Sequence, residues 1–216
     1  MLKLTTPKNN YMKRLLLIST IILLFTYSLS AQENTSKFRI GLTTSLVENL
    51  SDDTIEFNQY EGLSTDYDKT NYRLGVTLEY ELGIKSSLNT AIKYSNMDFT
   101  STIYCEVCDF VVAPSPQDAD LSFIEVPVTL KYYFLQNTLR PFAEVGVTNL
   151  FILKEDIVTN SYALSATIGG GLEYAITEKT ALQVAVDYNQ GVTNIFKESD
   201  YKLKTLAFGI GVMVGI

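Results

Sequence analysis

The chain has 216 residues, enough for one domain with a substantial core. Its net charge of −7 and isoelectric point near 4.7 disfavour a nucleic-acid partner, because no basic stripe is present to neutralise phosphates. The sequence has no histidine, which excludes Ser-His-Asp and Cys-His catalysis and the commonest zinc ligand. We therefore expect a protein that is not an enzyme and needs no cofactor.

The N-terminus has the three parts of a secretory signal peptide. Basic residues precede an apolar run over 15–25, and a small-residue segment ends at Ala31. The run is too short for a transmembrane helix, which needs about 20 apolar residues. We predict a signal peptide over 1–31, cleaved after Ser30 or Ala31. A membrane anchor is the alternative.

From residue 36 onward, large apolar residues alternate with small or polar ones, and turn signals separate the alternating segments. The last segment is the most regular, with every second residue from Leu206 to Ile216 large and apolar. Such alternation predicts strands with one apolar face. The eight predicted strands are 37–46, 71–82, 87–99, 121–134, 140–151, 161–175, 180–189 and 203–216.

The connections between these strands alternate in length. The tight ones are 83–85, 135–138 and 176–179, and the long ones are 48–70, 100–120, 154–160 and 191–202. Short turns at one end, long loops at the other and an even strand number are typical of outer-membrane barrels. We predict an all-β fold: an eight-stranded antiparallel up-and-down transmembrane β-barrel over 32–216, in the outer membrane.

Pro127 falls inside the fourth predicted strand. Proline cannot donate a hydrogen bond to a neighbouring strand, so it interrupts a sheet. We expect a bulge or a local irregularity at this position.

The polar face of the strands carries a mixed set of charges, together with many small residues. A narrow eight-stranded interior requires small side chains, and charges of both signs can pair within it. The predicted interior charge network comprises Arg39, Arg73, Glu79, Glu81, Lys93, Glu125, Lys131, Glu144, Glu173 and Asp187. The alternative is a soluble lipocalin-like carrier, in which the apolar face lies inside and this charged face meets water.

Two neighbouring segments resemble a known family. The sequence IEVPVTLKYYF at 124–134, followed by LRPFAEVGV at 139–147, resembles the PorT-like outer-membrane β-barrel family of Bacteroidota. The resemblance implies the same barrel fold, no shared catalytic residues and a possible accessory role in secretion across the outer membrane. Such barrels usually end on an aromatic residue that signals to the barrel-assembly machinery, whereas this chain ends on Ile216.

Cys105 and Cys108 form a C-x-x-C motif in the second long loop. No βαβ pattern surrounds it, so thioredoxin chemistry is disfavoured. Outside the cell, thiols tend to oxidise. We favour a local disulfide over free thiols, and both over a metal site.

Eight strands leave no aqueous channel, so a diffusion porin is not expected. We expect a structural or surface-interaction protein that acts through its long loops. An accessory role in secretion and a soluble carrier remain the alternatives.

Expected partners are outer-membrane lipid, lipopolysaccharide, the barrel-assembly machinery and unidentified surface or secretion proteins. The protein is expected to be a monomer.

Overall fold

The computed structural model describes residues 37–108, 114–155, 159–197 and 199–216. The predicted signal peptide lies outside the described residues. No helix in the described part of the chain is long and apolar enough to cross a membrane. The strands within it are β1 Phe38–Asn49, β2 Thr54–Glu56, β3 Glu61–Asp66, β4 Asn71–Glu81, β5 Ser86–Asn96, β6 Phe99–Cys105, β7 Gln117–Ala119, β8 Leu121–Tyr133, β9 Leu139–Glu155, β10 Tyr162–Ala175, β11 Thr180–Gly191 and β12 Lys204–Gly215.

Eight of these strands form a closed antiparallel barrel. Around the barrel the order is β1, β12, β11, β10, β9, β8, β5 and β4, and β4 pairs with β1 to close it. Each barrel strand therefore pairs with the barrel strands before and after it in the chain. The first barrel strand, β1, also pairs with the last, β12. The predicted eight-stranded up-and-down barrel is confirmed.

The two faces of each barrel strand differ as the alternation predicts. Along β4, Leu74, Val76 and Leu78 are exposed, whereas Arg73 and Glu79 are buried. The same pattern holds for β12, where Phe208 and Ile210 are about half exposed. The apolar face thus points outward and the charged face inward. The soluble-carrier alternative, which requires the opposite arrangement, is wrong.

Opposite charges lie across from each other on neighbouring barrel strands. Arg39 on β1 is the register partner of Glu79 on β4, and Arg140 on β9 is the partner of Glu173 on β10. Opposite charges at such positions favour the observed register, and a slip by one residue would turn them toward lipid. The interior charges therefore help to fix strand pairing.

The expected irregularity at Pro127 is present as a gap in pairing. On β5 and β8 the paired positions stop at Thr90 and Val128 and resume at Lys93 and Glu125, in unchanged register. The hydroxyl of Thr90 donates a hydrogen bond of 2.9 Å to the carbonyl oxygen of Pro127. The register shift itself lies elsewhere, between Ser122 and Phe123 in the pairing of β8 with β9.

Aromatic pairs lie near both ends of the outer face. At the end with the tight turns, the rings of Phe38 and Tyr80 are 4.8 Å apart. At the end with the long loops, the rings of Phe151 and Tyr162 are 5.5 Å apart. Aromatic side chains at both edges of an apolar band are typical of barrels that span the outer membrane.

The first two long loops contain four short strands that the alternation did not predict. These strands form a second sheet in the order β2, β3, β6, β7, here called the loop sheet. The third barrel strand ends at Asn96, and Phe99, which we placed in it, begins β6 of the loop sheet. Pairing of β3 with β6 joins the first long loop to the second.

Replacing apolar residues on the outer face tests which side meets lipid. Val184 and Ile210 are register partners on β11 and β12, and their exposed fractions are 52% and 59%. Arginine near the bilayer midplane costs about 2–4 kcal/mol. We expect Val184→Arg/Ile210→Arg to abolish the boiling-dependent gel shift of the refolded protein.

Val192→Arg is the matched control. Val192 is equally exposed at 51% but lies beyond the end of β11, so this variant should keep the shift. A double variant that retains the shift would contradict the lipid-facing assignment.

Candidate functional site

Arg39 is the centre of an ion-paired cluster in the half of the barrel nearest the tight turns. Its guanidinium donates hydrogen bonds of 2.8 Å to both carboxylate oxygens of Glu173 and to Oε1 of Glu79. The Tyr133 hydroxyl lies 2.7 Å from the same guanidinium. The Arg39 side chain is 8% exposed, and those of Glu79 and Glu173 are fully buried. Charges this deeply buried are tolerated only when they are paired.

Further side chains complete this cluster. Lys131 lies 3.1 Å from Glu79 Oε2, and its ammonium sits 4.6 Å from the centre of the Phe142 ring. Arg140 pairs with Glu173. The ring of Phe142 lies against Gly171, where a Cβ would come within 2.7 Å of the ring and 2.1 Å of the Val184 carbonyl oxygen. Any larger residue at Gly171 would displace this packing.

A second cluster lies further toward the long loops. Arg73 stands between Glu125 and Asp187, with a distance of 2.9 Å to each carboxylate. Arg73 Nε and Glu125 are close, but the nitrogen lacks an aligned hydrogen bond, so this contact is an ion pair only. A cavity of about 20 Å³ adjoins the cluster, which is room for about one water molecule. The interior is therefore filled by side chains along both clusters.

The structure places all ten predicted interior residues on the inner face of the barrel. Arg39, Arg73, Glu79, Glu125, Lys131, Glu173 and Asp187 are buried, and Glu81, Lys93 and Glu144 are half-buried. Glu144 accepts a hydrogen bond of 2.9 Å from Thr129. Arg140 and Phe142 were missed, although they share the alternation of Glu144 and could have been assigned inward on that ground.

A buried apolar core closes the end of the barrel that carries the long loops. It joins inward residues at the tops of barrel strands to residues from the first, second and fourth long loops. Its members include Val47, Ile55, Leu63, Met97, Phe99, Leu121, Phe123, Leu150, Ile195, Phe196, Tyr201 and Leu203. Burial of apolar area stabilises a folded chain by about 25 cal/mol per Å². The loops that contribute residues to this core are therefore held in place by their packing.

Two polar contacts tie the loops together. The hydroxyls of Tyr67 and Tyr201 are hydrogen-bonded, and burial raises the pKa of both phenols. Lys69, which is half-buried, and Asp118, which is exposed, form an ion pair of 2.7 Å between the first and second long loops. Their hydrogen bond raises the pKa of Lys69 and lowers that of Asp118.

Cys105 and Cys108 are joined by a disulfide at the end of β6. Their Cα atoms are 5.3 Å apart. Sγ of Cys105 lies 3.8 Å from a carboxylate oxygen of Glu61, its register partner on β3. Glu61 and the two cysteines form a group that could hold a metal ion, but sulfurs joined in a disulfide provide no thiolate ligand.

Residues 18–214 match the family described as "Outer membrane protein beta-barrel domain". The chain belongs to this family. The match covers seven strands of the barrel in full and the eighth, β12, up to Val214. Outer-membrane localisation therefore follows from the family as well as from the outward apolar face. No curated protein matches the sequence.

Solved structures of other outer-membrane proteins share the fold of this family member. The outer membrane protein OprG from Pseudomonas aeruginosa aligns with a TM-score of 0.57 at 14% identity, over 84% of this chain and 97% of OprG. Neisserial surface protein A aligns with a TM-score of 0.52 at 12% identity, over 85% of this chain and all of that protein. At these identities the similarity shows the fold alone.

The interior of this outer-membrane barrel provides a test of the buried ion pairs. Glu79 contacts Arg39, Lys131 and Tyr133, whereas Glu81, two residues further along β4, is half-buried and makes no ion pair with another described residue. Removing one partner of a buried pair costs about 3–5 kcal/mol. We expect Glu79→Gln to lower the free energy of unfolding by about 3 kcal/mol, measured by urea titration of the boiling-dependent shift.

Glu81→Gln is the matched control and should change the free energy of unfolding by no more than about 0.5 kcal/mol, because the substitution breaks no buried ion pair. Equal effects of the two substitutions would show that the interior ion pairs do not stabilise the barrel.

Proposed function

We propose that this protein is a non-enzymatic outer-membrane barrel that interacts with partners at the cell surface through its long loops. The observation that carries the proposal is the loop sheet. It joins the first two long loops by six consecutive residue pairs between β3 and β6. Long loops of outer-membrane barrels face the cell exterior, so this sheet would lie on the surface.

The order within the loops supports a binding role. Connecting segments fixed by their own packing lose less conformational entropy when they bind a partner. Exposed apolar side chains lie on the loop sheet and beside it: Ile103 on β6 is 56% exposed, and Tyr60 and Val107, which flank β3 and β6, are 45% and 69% exposed. Exposed apolar residues in a cluster are typical of sites that contact partners.

The barrel interior supports a role that involves neither transport nor catalysis. The buried carboxylates of Glu79 and Glu173 are engaged by arginine and lysine, so neither is free to act as a general base. Eight-stranded barrels have interiors that side chains fill. We therefore assign the activity to the loops.

The relationship to the PorT-like family remains part of this proposal. The two segments that carry the resemblance form the β8–β9 hairpin, which supplies Lys131, Tyr133, Arg140 and Phe142 to the interior cluster. Interior packing therefore accounts for the motif without a secretion role. An accessory role in secretion is the second candidate, and it rests on the resemblance.

The remaining partners are also proposals. The outward apolar face is suited to outer-membrane lipid and lipopolysaccharide, and insertion would require the barrel-assembly machinery. We further propose export with cleavage of residues 1–31, and a monomeric barrel, since pairing of β1 with β4 and β12 leaves no open sheet edge.

Site-specific photocrosslinking in intact cells tests the surface role. A photoreactive residue at Ile103 or Val107 should give a discrete crosslinked product. The matched controls, Leu135 and Ile176, are exposed at 50% and 56% at the opposite, tight-turn end and should not give that product. Secreted proteins should be unchanged in a strain that lacks the gene.

Two results would contradict the proposal. One is the absence of any product from the loop sheet. The other is loss of secreted proteins in the deletion strain, restored by a barrel whose loop sheet has been replaced by short turns. The second result would favour the accessory secretion role.

A further inference from the structure

An open cleft of about 590 Å³ lies between the first and fourth long loops. Its walls are formed by Asp52, Thr54 and residues 56–59 of the first loop, and by Asn194, Lys197 and residues 199–201 of the fourth. The volume falls within the range of small-molecule sites, about 300–1,000 Å³. The residues that line this cleft are different from those of the two interior clusters.

The floor of the cleft is fixed by the core beneath it. Tyr201 is 8% exposed, and its ring packs 5.3 Å from that of the buried Phe196. Ile55, in the middle of β2, is fully buried. The two walls therefore rest on packed residues.

Hydrogen bonds hold the walls in place. The side chain of Asn160, from the third long loop, donates a hydrogen bond of 3.0 Å to the carbonyl oxygen of Asn194 in the fourth. In the first loop, the side-chain oxygen of Asn58 accepts from the backbone N–H groups of Tyr60 and Glu61, at 2.8 and 3.0 Å. Lys204 pairs with Asp52 at 3.1 Å. A site held in this way needs little reorganisation on binding.

The cleft carries uncommitted donors and acceptors side by side. The side chains of Glu56, Gln59 and Lys197 line it, are exposed, and make no hydrogen bond or ion pair with another described residue. Asp200 accepts a hydrogen bond of 3.1 Å from Asn194 through Oδ1, and its second oxygen is uncommitted. Phe57 adds a half-buried apolar surface.

These groups favour a neutral polyhydroxylated ligand. Carboxylates accept, ammonium groups donate and amides do both, which suits hydroxyl groups that also donate and accept. Hydrogen bonds from hydroxyls to carboxylates are charge-assisted and strong. Asp52 is neutralised by Lys204, and the remaining carboxylates of Glu56 and Asp200 outnumber the cation of Lys197, so the cleft would repel phosphate or sulfate groups.

We infer that the cleft between the first and fourth long loops binds neutral sugars of a saccharide at the cell surface. This inference rests on the proposed surface role and names its ligand class. The same sugar chemistry could come from lipopolysaccharide in the protein's own membrane or from a free glycan, and the experiment must distinguish the two.

The test uses the full barrel refolded in a detergent without a sugar headgroup. The probes are neutral hexose oligosaccharides, sulfated oligosaccharides, purified lipopolysaccharide and a lysine-rich peptide. We expect a neutral oligosaccharide to bind and its sulfated counterpart not to bind. Glu56→Ala/Gln59→Ala should weaken that binding at least tenfold. Binding of lipopolysaccharide alone would locate the sugar in the membrane, and binding of the free oligosaccharide would identify a soluble glycan as the source.

Glu178→Ala/Gln136→Ala, which changes the same exposed residue types at the tight-turn end, should leave binding unchanged. Retention of the boiling-dependent shift shows that each variant is folded. The inference is overturned if only the peptide or the sulfated sugars bind, or if the cleft variant binds as tightly as the native chain. If crosslinking from the loop sheet is still observed in that case, the surface role is retained and only the saccharide site is rejected.

Discussion

Pairing of buried charges inside the barrel is the interaction on which the other features of this structure depend. Arg39, held by Glu79 and Glu173, joins β1 to β4 and β10 across the lumen. Arg73 similarly joins β4 to β8 and β11. None of these groups could face lipid without a large cost, so their pairing favours the inward faces observed for the strands that carry them, which are β1, β4, β8, β10 and β11.

The filled interior also limits what the barrel can do. Phe142 reaches the lumen because Gly171 leaves room for its ring, and Lys131 and Arg140 close the space around it. The only space described beside the second cluster is about the size of one water molecule. The proposed function lies at the end of the barrel that carries the long loops, where the apolar core supports both the loop sheet and the open cleft.

The barrel could be predicted from sequence because alternation along a strand reports directly on the two environments that the strand separates. Leu74 and Arg73 differ in kind because one faces lipid and the other faces the lumen. The loop strands β2 and β7 gave no such signal, since they have three residues each and too few alternations to recognise. The loop core could not be predicted either, because Ile55, Phe99 and Phe196 meet only after three different loops have folded together. Arg140, by contrast, could have been predicted from the sequence. It lies four residues before Glu144 and therefore on the same face of the strand, but the inward assignment was not applied to the first residues of that strand.

Conductance across a planar bilayer tests the filled lumen most directly. The reconstituted native barrel should give no stable current steps, because the two ion-paired clusters leave no continuous water path. Steady open-channel conductance from the correctly inserted monomer would contradict this account. It would indicate that the lumen, rather than the loops, carries the function.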